Sequence, residues 1–117
     1  MSETTEPVIV TQLREESTAR LELRVPKDLV YFRGHFPDYP VLPGIVQTHW
    51  AVAFARRCFA LGDAEVVGVQ VKFKRVIAPE AQLSLALAYA ADRGRLSFEY
   101  ADAQSPFSSG IITFGAA

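Results

Sequence analysis

Hydrophobic and polar positions alternate over most of the chain, and this alternation predicts an antiparallel β-sheet. Between Thr18 and Val25 every second residue is apolar, and Arg20, Glu22 and Arg24 occupy the positions between them. A period of two is typical of a strand with one buried face. The same pattern predicts six strands, over residues 8–13, 18–25, 66–77, 82–91, 95–101 and 108–115.

One segment departs from the alternation and predicts a single long helix over residues 43–60. Pro43 suits the first turn of a helix, and the segment is apolar around most of its circumference, which is typical of a buried helix. Arg56 and Arg57 lie in the last turn, where positive charge suits the helix dipole. Six strands and one helix predict an α+β fold in which the sheet wraps around a central helix. One sheet edge is left uncovered, where a second copy could pair.

Length and composition narrow the class of protein. The 117 residues suit one domain spanning the chain, with a polar, acidic N-terminal end over residues 1–7 that we expect to be loose. Half of the residues are hydrophobic, and this surplus favours a subunit interface. The net charge of −1 argues against a nucleic-acid binder. With no signal peptide and no apolar run of membrane-spanning length, we expect a soluble cytoplasmic protein.

Candidate chemistry is concentrated between residues 34 and 49. Residues 34–44 contain three prolines and two glycines, which predicts a stiff loop that holds its side chains at low entropic cost. His35 lies in this loop and His49 lies in the helix; two histidines and the one cysteine, Cys58, argue against a metal site. From the residues alone, His35 is either a positioned functional group or a loop histidine bonded to backbone. His49 is either functional or a satisfied core histidine.

The start of the helix carries a separate signal. Leu42 precedes Pro43, so no Ser, Thr, Asp or Asn caps this end in the sequence. The first backbone N–H groups therefore need another partner, and Gly44 leaves its own N–H sterically open. A ligand carbonyl or oxyanion, a water molecule or a tertiary contact could accept this hydrogen bond.

The window from Gly34 to Ile45 resembles the signature of the β-hydroxyacyl-acyl-carrier-protein dehydratases of the hotdog fold. The family pattern His-Phe-Pro-x-x-Pro-x-x-Pro-Gly, followed by a buried helix, matches from His35 to Gly44. Residues 71–75 with Pro79 are similar to the family's strand and following turn. The segment Val-Leu-Pro-Gly-Ile-Val-Gln, together with Trp50, is most similar to the branch of the family found in aryl-polyene and specialised lipid gene clusters. The resemblance extends from about residue 8 onward.

This resemblance implies an activity and a set of site residues. The implied enzyme removes water from a 3-hydroxyacyl thioester on acyl carrier protein, giving a trans-2-enoyl thioester in fatty-acid or polyene-type biosynthesis. It implies no cofactor besides the phosphopantetheine arm of the carrier. His35 would be the base, and the Gly44 N–H would bind the thioester oxygen. The implied substrate contacts are Phe36, Pro43, Trp50 and Phe73, with an acyl tunnel along the helix lined by Val46, Trp50, Phe54 and Phe73.

The chain departs from the family at the catalytic acid. The family places Glu or Asp on the helix 14 residues after the loop histidine, and this position is His49 here; residues 40–62 contain no acidic residue. His49 would then be the acid, usually contributed from the partner subunit. Two nearby imidazoles resist double protonation, so they suit an acid–base couple with a bell-shaped pH–rate profile. Asp38 or Tyr39 through a water molecule, or His35 alone, are the alternatives.

The resemblance also implies partners. The carrier protein is acidic, and the candidate docking residues are Arg33, Arg56, Arg57, Lys72, Lys74 and Arg75. We expect a homodimer or higher homo-oligomer, or a heterodimer with another dehydratase chain. Two other functions stay open: a hotdog acyl-thioesterase, and a catalytically impaired partner subunit of an active dehydratase.

Overall fold

The computed structural model describes residues 4–32 and 41–115, which form one six-stranded antiparallel sheet and one long helix. The predicted α+β arrangement is confirmed. The elements in chain order are β1 (Val8–Arg14), β2 (Thr18–Arg24), the 3₁₀ turn η1 (Val30–Phe32), α1 (Gly44–Cys58), β3 (Val66–Phe73), β4 (Gln82–Ala90), β5 (Arg95–Ala101) and β6 (Pro106–Phe114).

The sheet order explains where the two edges lie. The strands follow one another as β1-β2-β4-β5-β6-β3, and every neighbouring pair is antiparallel. The segment with α1 leaves the sheet after β2 and returns to it at β3, on the opposite edge. The chain therefore has two edge strands, β1 and β3, each with unpaired backbone groups on one side.

The core lies between α1 and one face of the sheet, as the alternation predicts. Leu21, Leu85, Leu96 and Ile112, one from each of four adjacent strands, are fully buried there. Burying a side chain of this size stabilises the fold by about 1.5–3 kcal/mol. The core therefore holds the helix firmly against the sheet.

One narrow side of α1 is left exposed by this chain. Val46, Ala51 and Phe54 face the core, whereas Ile45 is 80% exposed and His49 is exposed. The expectation that the helix is buried on most sides agrees with the structure, in which only Ile45, His49, Arg56 and Arg57 of α1 are exposed. We call the exposed side of α1, which carries Ile45 and His49, the open helix face.

β3 is shorter than the predicted strand over residues 66–77. It ends at Phe73 because the next two backbone N–H groups, of Lys74 and Arg75, both turn to the Phe107 carbonyl. Its alternating apolar side chains are also uncovered, with Val67 66% exposed. The sequence predicts one uncovered edge, whereas the structure has two, because β1 also lies at an edge with its apolar residues Val10 and Leu13 exposed.

The N-terminal segment contacts the domain over the part that the structure describes. Thr4 forms a parallel bridge with Leu29, and the Trp50 Nε1–H donates to the Thr5 carbonyl at 3.0 Å. Glu6 pairs with Arg57. Residues 4–7 are thus held by contacts, and of the predicted loose end only residues 1–3 lie outside the description.

Candidate active site

The predicted site residues fall into two sets. Gly44, His49 and Phe73, with the other residues of α1 and β3, lie within the described residues. His35, Phe36 and Arg33 lie in residues 33–40, outside the described residues, as do the alternative proton donors Asp38 and Tyr39. The roles predicted for these five residues stay predictions.

α1 begins without a side-chain cap, as the sequence predicts. Pro43 is the N-cap residue, with φ −60° and ψ 145°, and no side chain caps the helix. Its carbonyl accepts the N–H groups of Val46 and Gln47 at 3.1 and 3.2 Å. No described residue accepts a hydrogen bond from the Gly44 N–H. This donor lies at the positive end of the helix dipole and is suited to an oxyanion.

Phe73 brings the end of β3 to this same point. A Cβ atom added at Gly44 would lie 2.5 Å from Phe73 Cζ and 2.8 Å from Cε1, so only a glycine allows the ring to rest there. Phe73 as a whole is nevertheless 56% exposed. The structure therefore joins two predicted substrate contacts, Gly44 and Phe73, into one apolar surface beside an N–H donor that has no acceptor among the described residues.

His49 lies on the open helix face, one turn beyond Ile45. Residues four apart share a helix face, and His49 lies about 7.5 Å along the axis from Gly44. Its side chain is exposed, and no described residue hydrogen-bonds its ring. His49 is therefore not the satisfied core histidine that the sequence leaves open.

The predicted tunnel residues on the helix are core residues in this chain. Trp50 is 2% exposed and lies under the N-terminal segment, and Val46 and Phe54 are also buried between helix and sheet. Helical spacing places Trp50 and Phe54 away from the open helix face and Val46 at its border. The lining of an acyl tunnel by Val46, Trp50 and Phe54 stays a prediction, and of the predicted tunnel residues Phe73 has an exposed surface in this chain.

Sequence reasoning missed a buried polar network behind the helix start. Gln47 faces inward from α1, its Nε2–H donating to the Leu42 carbonyl at 3.2 Å. Its Oε1 accepts from Ser108 Oγ at 2.7 Å, and its backbone carbonyl accepts from the Tyr100 hydroxyl at 2.6 Å. Burial raises the pKa of Tyr100 well above its ordinary value, so this hydroxyl stays a donor. The sequence feature that could have indicated this network is Gln47, the polar residue among the inward-facing apolar positions of α1.

The predicted docking cations near the C-terminal end of α1 have local partners. Arg56 donates to the Ala64 carbonyl at 2.9 Å and lies over the Phe114 ring. Arg57 pairs with Glu6 and lies over the Phe54 ring. Both lie at the end of α1 opposite to Gly44, about 18 Å away along the axis.

The predicted cations on and after β3 behave differently from one another. Lys72 and Lys74 are exposed on either side of Phe73 in sequence. Arg75 turns inward, where it bonds Asp102 at 2.7 Å and the Ser105 carbonyl at 2.7 Å and lies 4.0 Å from the centre of the Phe107 ring. Arg75 therefore ties the end of β3 to the β5–β6 turn, and its role in carrier docking stays a prediction.

Other chemistry is sparse in the part of the chain that the structure describes. No group of three or more His, Cys, Asp or Glu side chains there could hold a metal ion. A concavity of about 1330 Å³ lies on the sheet face away from α1 and is lined by residues such as Ala86, Ser97 and Ser109. No described helix is long and apolar enough to span a membrane. The apolar surface at Gly44 is thus the site that the described chemistry favours.

Comparison with known proteins assigns the family. The ApeI-like family, described as ApeI dehydratase, matches residues 11–111. The chain belongs to the ApeI-like dehydratase family. This confirms the sequence resemblance to the hotdog dehydratases and to their aryl-polyene branch. It also confirms the prediction that the protein is a dehydratase.

Individual relatives of this dehydratase agree. The 3-hydroxyacyl-[acyl-carrier-protein] dehydratase FabZ of Streptococcus suis is 33% identical over 95 residues, which cover 72% of this chain and 67% of the relative. The dehydratase heterocomplex ApeI:P from Xenorhabdus doucetiae contains a chain with a TM-score of 0.88 and 27% identity, covering 95% of this chain and 99% of that chain.

Two further solved structures extend the likeness. An uncharacterized protein from Erwinia carotovora subsp. atroseptica has a TM-score of 0.82 and 31% identity, covering 94% of this chain and 96% of its own. The R-hydratase PhaJ1 from Pseudomonas aeruginosa, at 12% identity and a TM-score of 0.59, covers 91% of this chain and 88% of its own. The last likeness concerns the fold alone, and it agrees with the predicted hotdog fold.

Proposed function

We propose that this dehydratase removes water from 3-hydroxyacyl thioesters carried on acyl carrier protein and releases trans-2-enoyl thioesters. The observation that supports it most directly is the Gly44 N–H at an uncapped helix start, beside the exposed ring of Phe73. In the reaction a base takes the α-proton, the C–O bond at the β-carbon breaks, and the hydroxyl leaves as water after gaining a proton. Negative charge develops on the thioester oxygen, and the Gly44 N–H with the helix dipole would stabilise it.

The proton transfers fall to the two histidines in this proposal. His35 would take the α-proton as the neutral ring, and His49, as the protonated ring, would give a proton to the leaving hydroxyl. The exposure of His49 supports this role, because a donor must reach the substrate. An imidazolium can donate a proton where the family's usual carboxylic acid is missing.

A second subunit would complete the site. β3 offers an unpaired backbone edge, Val67 and Phe73 are exposed on it, and Ile45 is 80% exposed on the open helix face. We propose that another hotdog chain pairs with β3 and covers this apolar surface. That chain is either a second copy or a related dehydratase; the similar Xenorhabdus doucetiae protein is part of a heterocomplex.

Lys72 and Lys74 are the proposed contacts for the carrier protein. They flank Phe73, which contacts Gly44, so a carrier docked on them would deliver its arm at the helix start. Arg56 and Arg57 are less suited to this role, because they lie at the far end of α1 and have partners within the chain. The cytoplasmic location stays a prediction.

A second candidate function is supported by position 49. A chain without the family's helix carboxylate would suit a catalytically impaired subunit that supports an active partner. We therefore propose a test on the purified chain, with a 3-hydroxyacyl thioester as substrate and three products to distinguish. Enoyl thioester supports the dehydratase and free thiol would reveal a thioesterase. Neither product, with enoyl thioester appearing only after His49→Glu, would favour the impaired subunit.

A further inference from the structure

The network at Gln47 joins the helix, the sheet and the segment before the helix at one buried point. Gln47 is 3% exposed, and Ser108 and Tyr100 are fully buried. Three hydrogen bonds meet there: Gln47 to the Leu42 carbonyl, Ser108 to the Gln47 side chain, and Tyr100 to the Gln47 carbonyl. Every buried side-chain polar atom among the described residues has a partner, so the network is complete.

Stability alone does not require such a network. Replacing both partners of a buried hydrogen bond by apolar groups of similar shape is often nearly neutral, whereas removing one partner costs about 1–3 kcal/mol. Gln47 lies in an otherwise apolar helix face, between Val46 and Trp50. An apolar side chain in this position would have filled the core as well. The specific geometry of the network is therefore the property that needs an explanation.

The network fixes the Leu42–Pro43 peptide group, and the first turn of the helix fixes the Pro43–Gly44 peptide group that carries the Gly44 N–H. Leu42 donates its N–H to the Ile77 carbonyl at 2.8 Å, and its own carbonyl is held by Gln47. The Pro43 ring then fixes the next φ angle, and the Pro43 carbonyl is held by the N–H groups of Val46 and Gln47. Gln47 thus contacts both peptide groups that lead to the Gly44 N–H, the first through its side-chain amide and the second through its backbone N–H.

We infer that Gln47 is a positioning residue, whose amide, oriented by Ser108, holds the Leu42 carbonyl and so aims the Gly44 N–H at the substrate oxygen. This inference rests on the proposed function, since it assigns that N–H to the thioester oxygen. Gln47 itself touches no reacting atom. Tyr100 secures the same residue through its backbone and keeps the helix in register with β5.

Two buried serines offer a matched test. Ser108→Ala removes the hydroxyl that orients Gln47, and Ser84→Ala removes a hydroxyl in β4 that bonds the Ala101 carbonyl at 3.2 Å, away from the helix start. We expect Ser108→Ala and Gln47→Met to lower kcat roughly 10- to 100-fold with little change in KM. Ser84→Ala is expected to leave kcat within about twofold while costing similar stability, since it too removes one buried hydrogen bond.

A readout that does not need activity separates this inference from the proposed function. In ¹⁵N-labelled protein, Gln47→Met and Ser108→Ala are expected to shift or broaden the Gly44 amide resonance, and Ser84→Ala is not. If the wild-type protein is inactive but the Gly44 resonance changes in the variants as expected, the proposed function is contradicted. The positioning of Gly44 by Gln47 is then still supported. An unmoved Gly44 resonance, or equal losses of kcat in the two serine variants, would overturn the inference.

Discussion

The ring of Phe73 lies against the α-carbon of Gly44, so the end of β3 and the start of α1 meet at the proposed substrate site. A Cβ atom at position 44 would lie 2.5 Å from Phe73 Cζ, which is too close for two carbon atoms. Because Phe73 is exposed, its ring can move away. We expect Gly44→Ala to displace Phe73 and lower kcat/KM roughly tenfold. Because alanine favours helix more than glycine, the thermal midpoint is expected to hold or rise. A parallel loss of stability and activity would contradict this explanation.

His49 is expected to be required for proton transfer to the leaving hydroxyl. His49→Ala and the similarly shaped His49→Gln would lose about 10²- to 10⁴-fold in kcat, because neither supplies a proton. His49→Glu is expected to keep much of the rate, since a carboxylic acid does the same work. The measurement is enoyl formation from a 3-hydroxyacyl thioester as a function of pH. Full activity in His49→Gln would exclude His49 as the acid.

Carrier docking on β3 predicts a difference between two charge-matched double variants. Lys72→Glu with Lys74→Glu is expected to raise KM for carrier-bound substrate roughly 3- to 10-fold, with a weaker salt dependence. Arg56→Glu with Arg57→Glu is the control, because these cations lie at the far end of α1. A thioester of a small thiol should be processed equally by both. Equal effects of the two double variants on the carrier-bound substrate would remove Lys72 and Lys74 from this role.

Subunit pairing through β3 predicts that a charge there prevents assembly. Val67→Lys places an ammonium on the exposed apolar face of the β3 edge, where burial against a partner would be costly. We expect a monomer by light scattering, whereas Leu13→Lys, at an equally exposed position of β1, is expected to assemble like the wild type. Disruption by Leu13→Lys alone would move the interface to β1.

The Asp102 cluster predicts a loss of stability in acid. The Ser105 N–H first, then the Arg75 guanidinium and the Gln104 N–H, lower the pKa of Asp102 from 3.8 to about 2. Since the folded-state pKa is the lower one, the contribution is complete above about pH 4 and declines as the pH falls toward 2. Urea unfolding of the wild type and Asp102→Asn at several pH values checks this. The difference in free energy of unfolding between wild type and Asp102→Asn should shrink as the pH falls from about 4 toward 2. A constant difference would argue against a stabilising role of the Asp102 carboxylate.

The amino-acid sequence by itself determined the elements and the family. Period-two alternation is a local property, so five of the six strands were predicted within two residues of their observed bounds. The loop motif from His35 to Gly44 carried the dehydratase resemblance because its residues are contiguous. The absence of a side-chain cap at the start of α1 could also be predicted from the sequence, since a cap requires Ser, Thr, Asp or Asn beside the helix.

Only the tertiary structure decided which of these residues meet. α1 is apolar almost all round, so its pattern could not choose between the face of Trp50, which is buried, and the face of Ile45 and His49, which is open. The inward turn of Arg75 depends on Phe107 and Asp102, which are distant in sequence. Gln47 likewise has a role only because β6 brings Ser108 beneath it. Contacts between distant residues depend on the sheet order, which a local pattern does not contain.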